Sequence, residues 1–479
     1  MRHSSRVAAV SVMVAAAFVL LVHALGAPAR LPSAALGSLP EDREAACSGD
    51  NPYLVTVCYR LGASAAVMAR EPAVVAFRDT PANGPHHQLA TQAQVGSVYG
   101  LAYSAREVAV YAAAFHKRQI PFGPGGPGAV YRIDLVTGAV VHAFTVPNAG
   151  DDRHSTGLDR LAEPWAGKAS LGDIDLGADG TELFVANLHD RRIYRYALPS
   201  GQLLGSFAHG AAAEPWAASA RPFGLAWHEG HLYHAVVEST KESLKLADLR
   251  ALVYRSRDDG SGMTLVATLD LTYPRGEGPG GRLEWQPWRD GYEMRNSSIL
   301  SPYPMPLVTD IVFDGQGSMI LGLRDRRLDS MPHHLKGRVM SAPELGRVGI
   351  GVGDILYGQP QGSGWVFDPA NEHFGDRMAG VGDESALGGL AELPGGQTTM
   401  TGGYVSDRYT LREGAYWFRN LDGNVIAEER LGRSIDVDSY RAGILHVRRA
   451  YADDDQPREY EIRGAGTEGD LEVLCGPAM

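Results

Sequence analysis

The sequence predicts an all-β chain, a single β-propeller of six or seven four-stranded blades with long loop insertions. Three observations point there. First, one phrase recurs with different residues: a Gly or Asp, a few apolar residues, a turn, then a second apolar strand. Its copies start at Tyr99-Gly100-Leu101, Gly172-Asp173-Ile174, Phe223-Gly224-Leu225, Thr309-Asp310-Ile311 and Gly388-Gly389-Leu390. A hairpin returning every 50 to 85 residues, roughly, is the mark of a radial β-repeat. Second, outer strand pairs follow the copies, as in Ala129–Asp134 with Val140–Phe144 about a Thr137-Gly138 turn, or Arg192–Tyr196 with Leu203–Phe207 about Ser200-Gly201. Alternating apolar and polar residues bounded by such turns read as half-buried strands. Third, helical periodicity is nearly absent, with Glu242–Leu252 the best candidate for a short helix.

Taken in order, residues 1–29 read as a signal peptide or N-terminal anchor. Arg2 and Arg6 precede the apolar run Val7–Val22, and Ala27-Pro28-Ala29 supplies small residues for cleavage. Residues 30–51, rich in Ala, Pro and charge, read as a tether, and 52–479 as the propeller. Tyr53–Val57 and Ala73–Phe77 are expected strands that close the ring. The insertions Pro274–Pro306, Arg326–Ala342 and Asp368–Glu384 are expected over one face. A weaker sixth copy is Ser434–Asp438, carrying Asp436. The terminal Asp470–Leu474 is expected either as its outer strand or as a partner of the N-terminal strands.

Bulk properties narrow the function. Hydrophobic residues at 44% suffice for a large core, and a net charge of −12 excludes a nucleic-acid backbone as partner. Three cysteines, Cys47, Cys58 and Cys475, allow one disulfide, either local or joining the chain ends, and leave one thiol over. No Cys/His cluster has zinc spacing.

Several phrases together resemble a known family. They are Phe115-His116-Lys117-Arg118 with Phe122–Asp134, Leu171–Asp175, Arg221–Leu225, Asp310–Asp314 and Gly469–Cys475. They are similar to the propeller-like regions of exported bacterial proteins that often carry Cna-B-type (SdrD B-like) surface domains. The resemblance covers roughly Val95 to Cys475. It implies a propeller and export, and it supplies no catalytic residues. In that family the Cys-ending phrase leads into immunoglobulin-like repeats, whereas four residues follow it here.

Motifs with chemistry are few. His228-Glu229-Gly230-His231 has its histidines three apart, where a zinc protease needs four on a helix, so it reads as a turn between strands. Asp175–Gly180 lacks the carboxylates of a calcium loop, and Asp179-Gly180 and Asp314-Gly315 read as hairpin turns. There is no nucleophile elbow and no phosphate-binding glycine motif; Pro124 and Pro127, in and beside Gly125–Gly128, remove amide donors. The informative set is positional. Asp173, Asp310 and Asp436 stand at the starts of inner strands where other copies have Gly100, Gly224 and Gly389. Such starts crowd around a propeller axis, so the carboxylates are expected to converge there, with Arg221, Asp383 and Glu384 close by. One reading makes them the mouth for a metal or polar ligand; the other has each Asp bond backbone amides of the next blade and lock the ring. Converging carboxylates without a cation should include one of raised pKa. Trp285 and Trp288, in the Pro-rich insertion, are read either as exposed ligand contacts or as a cap on the core.

The expected function is an exported, non-enzymatic module, secreted or in the cell envelope. It would bind a protein or carbohydrate partner through its loop-bearing face, with no cofactor and no nucleic acid, and meet a membrane only through an uncleaved leader. The alternative is a calcium-dependent hydrolase or lactonase-like enzyme working at the central channel.

Overall fold

The computed structural model describes residues 39, 51–59, 69–79, 87–156, 159–278, 281–290, 303–330, 353–368, 373–375, 384, 386–406, 410–430, 435–436 and 469–475. They form a six-bladed β-propeller. Going round the ring, the inner strands are Leu471–Val473 (blade I), Val98–Ser104 (II), Leu171–Leu176 (III), Ala220–His228 (IV), Pro306–Phe313 (V) and Ala386–Glu392 (VI). From each, three antiparallel strands step outward, for example to Glu182–Asn187, Arg192–Ala197 and Gln202–Ala208 in blade III. The blade count thus falls on the lower of the two expected values.

The ring is closed by its two ends. Leu471–Val473 pairs with Tyr53–Val57 in the register Leu54↔Val473 and Thr56↔Leu471. The C-terminal segment is therefore the innermost strand of blade I, and Pro72–Arg78 and His87–Thr91 complete that blade. This settles the two expectations for Asp470–Leu474 in favour of the N-terminal partners. Asp436 is a correction: Ile435–Asp436 pairs with Thr410–Arg419 in blade VI and is not an inner strand. Cys475, just past the closing strand, is disulfide-bonded, which excludes a bridge confined to Cys47 and Cys58. Cys58 is buried, and Cys47 lies outside the described residues. Leu39, in the segment read as a tether, is buried and its amide donates to Leu135 O at 3.2 Å.

Apolar faces of adjacent blades pack against each other. Blades IV and V share Tyr233, Val237, Val253, Ile311, Leu321 and Leu356, for instance, all nearly inaccessible. Because strands alternate in direction, links between first and second strands lie at one end. Links from second to third strands, and from each blade to the next, lie at the other end. Residues 274–305, 326–353 and 368–385 all belong to the second group. The three expected insertions therefore do leave from one face. The opposite face carries short hairpins such as Glu229-Gly230, whose φ of 47° and 77° join His228 to its partner His231 in a two-residue turn. The predicted helix at Glu242–Leu252 is absent. Leu246–Asp248 make one 3-10 turn, and the apolar residues after it belong to the strand Arg250–Ser256. Among the described residues no helix is long and apolar enough to cross a membrane.

Candidate functional site

The inner strands carry one repeated irregularity. In blades II to VI the pairing to the second strand slips within Val98–Leu101, Leu171–Ile174, Pro222–Leu225, Val308–Asp310 and Ala386–Leu390. A bulge of this kind disrupts the ladder locally and turns a peptide group elsewhere. The amides at this level find carboxylates. Asp173 accepts from its own Ile174 N at 2.8 Å and from Leu225 N of the next blade at 2.8 Å. Asp310 accepts from Ile311 N at 2.7 Å and Leu390 N at 2.6 Å. Asp470 accepts from Leu471 N at 2.8 Å and Leu101 N at 2.8 Å. Both oxygens of each carboxyl are used, and each Asp clasps two blades.

The remaining three interfaces are closed by glycine. A Cβ on Gly100 would lie 2.7 Å from Gly172 O, one on Gly224 2.9 Å from Asp310 N, and one on Gly389 2.2 Å from Gly469 O. Backbones meet there too closely for any side chain. Round the axis the order is Asp470, Gly100, Asp173, Gly224, Asp310, Gly389. The sequence-level expectation that Asp173 and Asp310 stand beside the axis holds, and the third member is Asp470 rather than Asp436.

The three carboxyls also meet one another. Asp470 is in hydrogen-bonding reach of both Asp310 and Asp173, and all three are buried. Burial, and then the charge of Asp470, raise Asp173 and Asp310 well above the usual carboxylate range. Burial raises Asp470 to about 6. One level toward the hairpin face, Asp175 repeats the clasp between blades III and IV by accepting from Leu176 N at 2.6 Å and from Trp227 N. Its pKa is pushed to about 7 by loss of solvent, and Glu472 is raised by the same cause and by Asp470. Calcium would call for six or more oxygens. Among the described residues no group of three or more His, Cys, Asp or Glu is disposed to hold a metal ion.

At the loop-bearing end the channel is filled. Tyr99 and Phe223, one residue before Gly100 and Gly224, pack with Phe115 at ring separations of 5.0–5.8 Å, and Trp288, Met305 and Leu307 join them. Above them the short helix Arg327–Ser330 reaches from blade V to blade II. Asp329 receives Arg324 Nε and Nη2, each at 2.7 Å, and Lys117 Nζ at 3.0 Å. Arg118 donates to Ser330 O and to Glu163 at 2.8 Å. Burial alone would raise the Asp329 carboxyl, but Arg324 and Lys117 hold it below the usual range. Of the two readings of the strand starts, the aspartates make the amide bonds of the ring-locking one, and aromatic rings and this ion network lie over them.

The other expected residues separate. Trp285 and Trp288 are fully buried, so the reading as exposed contacts is corrected in favour of the cap. Trp285 Nε1 donates to Tyr273 Oη under Arg275, and Trp288 Nε1 donates to Pro306 O. Arg221 is buried with its guanidinium 5.4 Å from the Trp288 ring and donates to Ala218 O and Ala220 O. Glu384 is buried near Arg275 and Tyr273, and Asp383 lies outside the described residues. His228 stacks on Phe313 at 4.0 Å, and Asp179 and Asp314 accept amides within their own turns, as read from sequence. Lys117, Arg118, Arg324 and Asp329 escaped sequence reasoning as site residues. The only signal for them was the Phe115–Arg118 phrase.

No family model matches the chain. It is 27% identical to Colossin-A of Dictyostelium discoideum over 337 residues, 62% of this chain and 3% of that protein. It is 24% identical to Colossin-B over 74% of this chain and 10% of that one, and 24% identical to Colossin-C over 81% and 41%. The chain thus spans less than half the length of each of these relatives, which are eukaryotic, whereas the resemblance read from sequence pointed to bacterial proteins. Among solved structures it is similar to a periplasmic gluconolactonase of Pseudomonas aeruginosa, with 11% identity over 80% of this chain and 98% of that one and a TM-score of 0.37. It is also similar to the nidogen–laminin complex structure, with 10% identity over 79% and 93% and a TM-score of 0.34. Likenesses this loose add nothing beyond the propeller already read from its strand order.

Proposed function

We propose that this chain is a non-enzymatic binding module that engages a protein or carbohydrate partner through its loop-bearing face. The observation that carries this reading is the use of the axis. Every oxygen of Asp173, Asp310 and Asp470 accepts a backbone amide, so the residues best placed for channel chemistry serve as blade clasps. All long connections gather at one end, where buried ion pairs hold their bases rigid, and rigid scaffolds under variable loops suit recognition. Export to the cell envelope or beyond fits the leader-like residues 1–29 and the disulfide at Cys475.

The enzymatic alternative has one observation in its favour, the mutual approach of three carboxyls. Incubation with aldonolactones in the presence of calcium, magnesium or manganese separates the two readings. Hydrolysis at the uncatalysed rate is expected. Acceleration that disappears in Asp310→Asn would overturn the binding reading.

A further inference from the structure

A second charged centre lies off the axis on the loop-bearing face, and it is cationic. Lys168 comes from the link between blades II and III, and Arg221 from the start of the inner strand of blade IV. Lys241 follows the second strand of blade IV, and Arg326 follows that of blade V. The Asp290 carboxylate sits among them. It takes Lys168 Nζ at 2.5 Å and Lys241 Nζ at 3.1 Å, with Arg326 Nη2 at 3.8 Å. Arg326 and Arg221 both lie over the Trp288 ring, 4.7 and 5.4 Å from its centre. Glu242 faces Arg221 and is engaged by Ser219, Glu163 is taken by Arg118, and Asp329 and Asp325 also act on Arg326. Asp290 is thus the carboxylate that Lys168, Lys241 and Arg326 share, in a chain of net charge −12.

Two buried donors remain over. Arg221, only 8% exposed, has its Nε without a hydrogen-bond partner, and so has the hydroxyl of Thr240, next to Lys241. An unmet buried donor of this kind is costly unless something supplies the acceptor. Asp290 itself is half-exposed and is not packed into the core.

We propose that Lys168, Lys241, Arg221 and Arg326 form a receptor for the carboxylate of a small acidic ligand. Asp290 occupies it as an internal stand-in. The proposal rests on the binding reading above and names the ligand chemistry of that face. Burial lowers the Lys168 ammonium to about 8, helped by Arg326 and Lys241, so a further anion is favoured there and binding should weaken above that pH.

The test replaces the stand-in. Asp290→Asn should melt below the wild type, and acetate should restore it saturably at pH 7, whereas chloride at equal ionic strength should not. Glucuronate and N-acetylglutamate then tell whether a sugar acid or an amino-acid carboxylate fits better. Adding Lys168→Gln to Asp290→Asn should abolish the recovery. Equal responses to acetate and chloride, or undiminished recovery in the double variant, would overturn the proposal. Should Asp290→Asn not fold, tryptophan fluorescence of the wild type is titrated with glucuronate against glucose. A saturable change with glucuronate alone is expected, and identical curves would overturn the proposal. Lactonase activity would defeat the binding reading yet leave the carboxylate response intact, so the two failures are distinguishable.

Discussion

Asp470→Asn is the most informative change to the axial clasp. The carboxyl accepts two buried amides, Leu101 N and Leu471 N, both at 2.8 Å. The carboxamide keeps one acceptor oxygen and turns an NH2 toward the other amide, so one buried N–H is orphaned at about 1–3 kcal/mol. Against this stands the charge. The folded pKa is raised from 3.8 to about 6, two units, and each unit is about 1.4 kcal/mol, so ionised Asp470 costs the fold roughly 3 kcal/mol. The sign follows from linkage. A carboxyl raised on folding gives stability that is fully present below the unfolded pKa, near 4, and is lost as pH rises through about 6. Wild type should therefore gain stability over the variant on going from pH 8 to pH 4. At pH 8 the two terms nearly cancel, and at pH 4 only the orphaned amide remains. The assay is paired urea denaturation at pH 4, 6 and 8, with the difference between the proteins removing the titrating groups that lie away from the axial carboxyls. A difference that stays constant across that range, or that shrinks toward pH 4, would refute the account of Asp470 as a carboxyl raised by burial.

Further expectations concern closure, charge and the discarded motifs. Gly100→Ala should cost several kcal/mol and lower the urea midpoint, because its Cβ would meet backbone 2.7 Å away that cannot swing aside. Gly205→Ala, with open space around the new methyl, serves as the tolerated control. Asp329→Asn should cost about 3–5 kcal/mol by stranding Arg324 and Lys117 in the interior, measured by the same denaturation. Because this carboxyl is depressed on folding, its contribution should be present above the unfolded pKa and lost as acid approaches the lowered value. His231→Ala should shift the melting temperature little, and a zinc chelator should leave it unchanged, if His228–His231 is only a turn.

The sequence revealed the ring because its clasp is written in short phrases. Gly or Asp before an apolar strand recurs within each copy, so Asp173 and Asp310 could be aligned with Gly100, Gly224 and Gly389. Asp470 could not, for a physical reason. Its strand is three residues long, too short for any periodicity, and its partner Thr56 stands 415 residues away by the register Thr56↔Leu471. Trp285 and Trp288 misled for another reason. A Pro-rich connection suggests solvent, yet Arg275 and Arg326 lie over these rings and their side-chain N–H groups are satisfied inside. The same holds for Lys117 and Arg324. A charge in a loop or near a strand end usually reads as solvated, and only the tertiary meeting of blades II and V pairs Lys117 and Arg324 through Asp329. Local pattern reports the blades, whereas the caps over them depend on contacts far apart in sequence.

The alternation of Asp and Gly follows from counting donors. Six blades bring six inner-strand amides to one level of the axis, and three carboxyls carry six oxygens. Six aspartates would double the charge in the same buried space without any further amide to satisfy. Six glycines would leave all six amides without these acceptors. With three of each, every second interface is a hydrogen-bonded clasp and the one between is a direct approach of backbones. What is left over is electrostatic: burial raises all three carboxyls, and the charge of Asp470 raises Asp173 and Asp310 further. The aromatic plug of Tyr99, Phe115 and Phe223 and the Asp329 network close the loop-bearing approach to them. On the binding reading proposed above, recognition on that face would use the loops and their cationic centre rather than the axis.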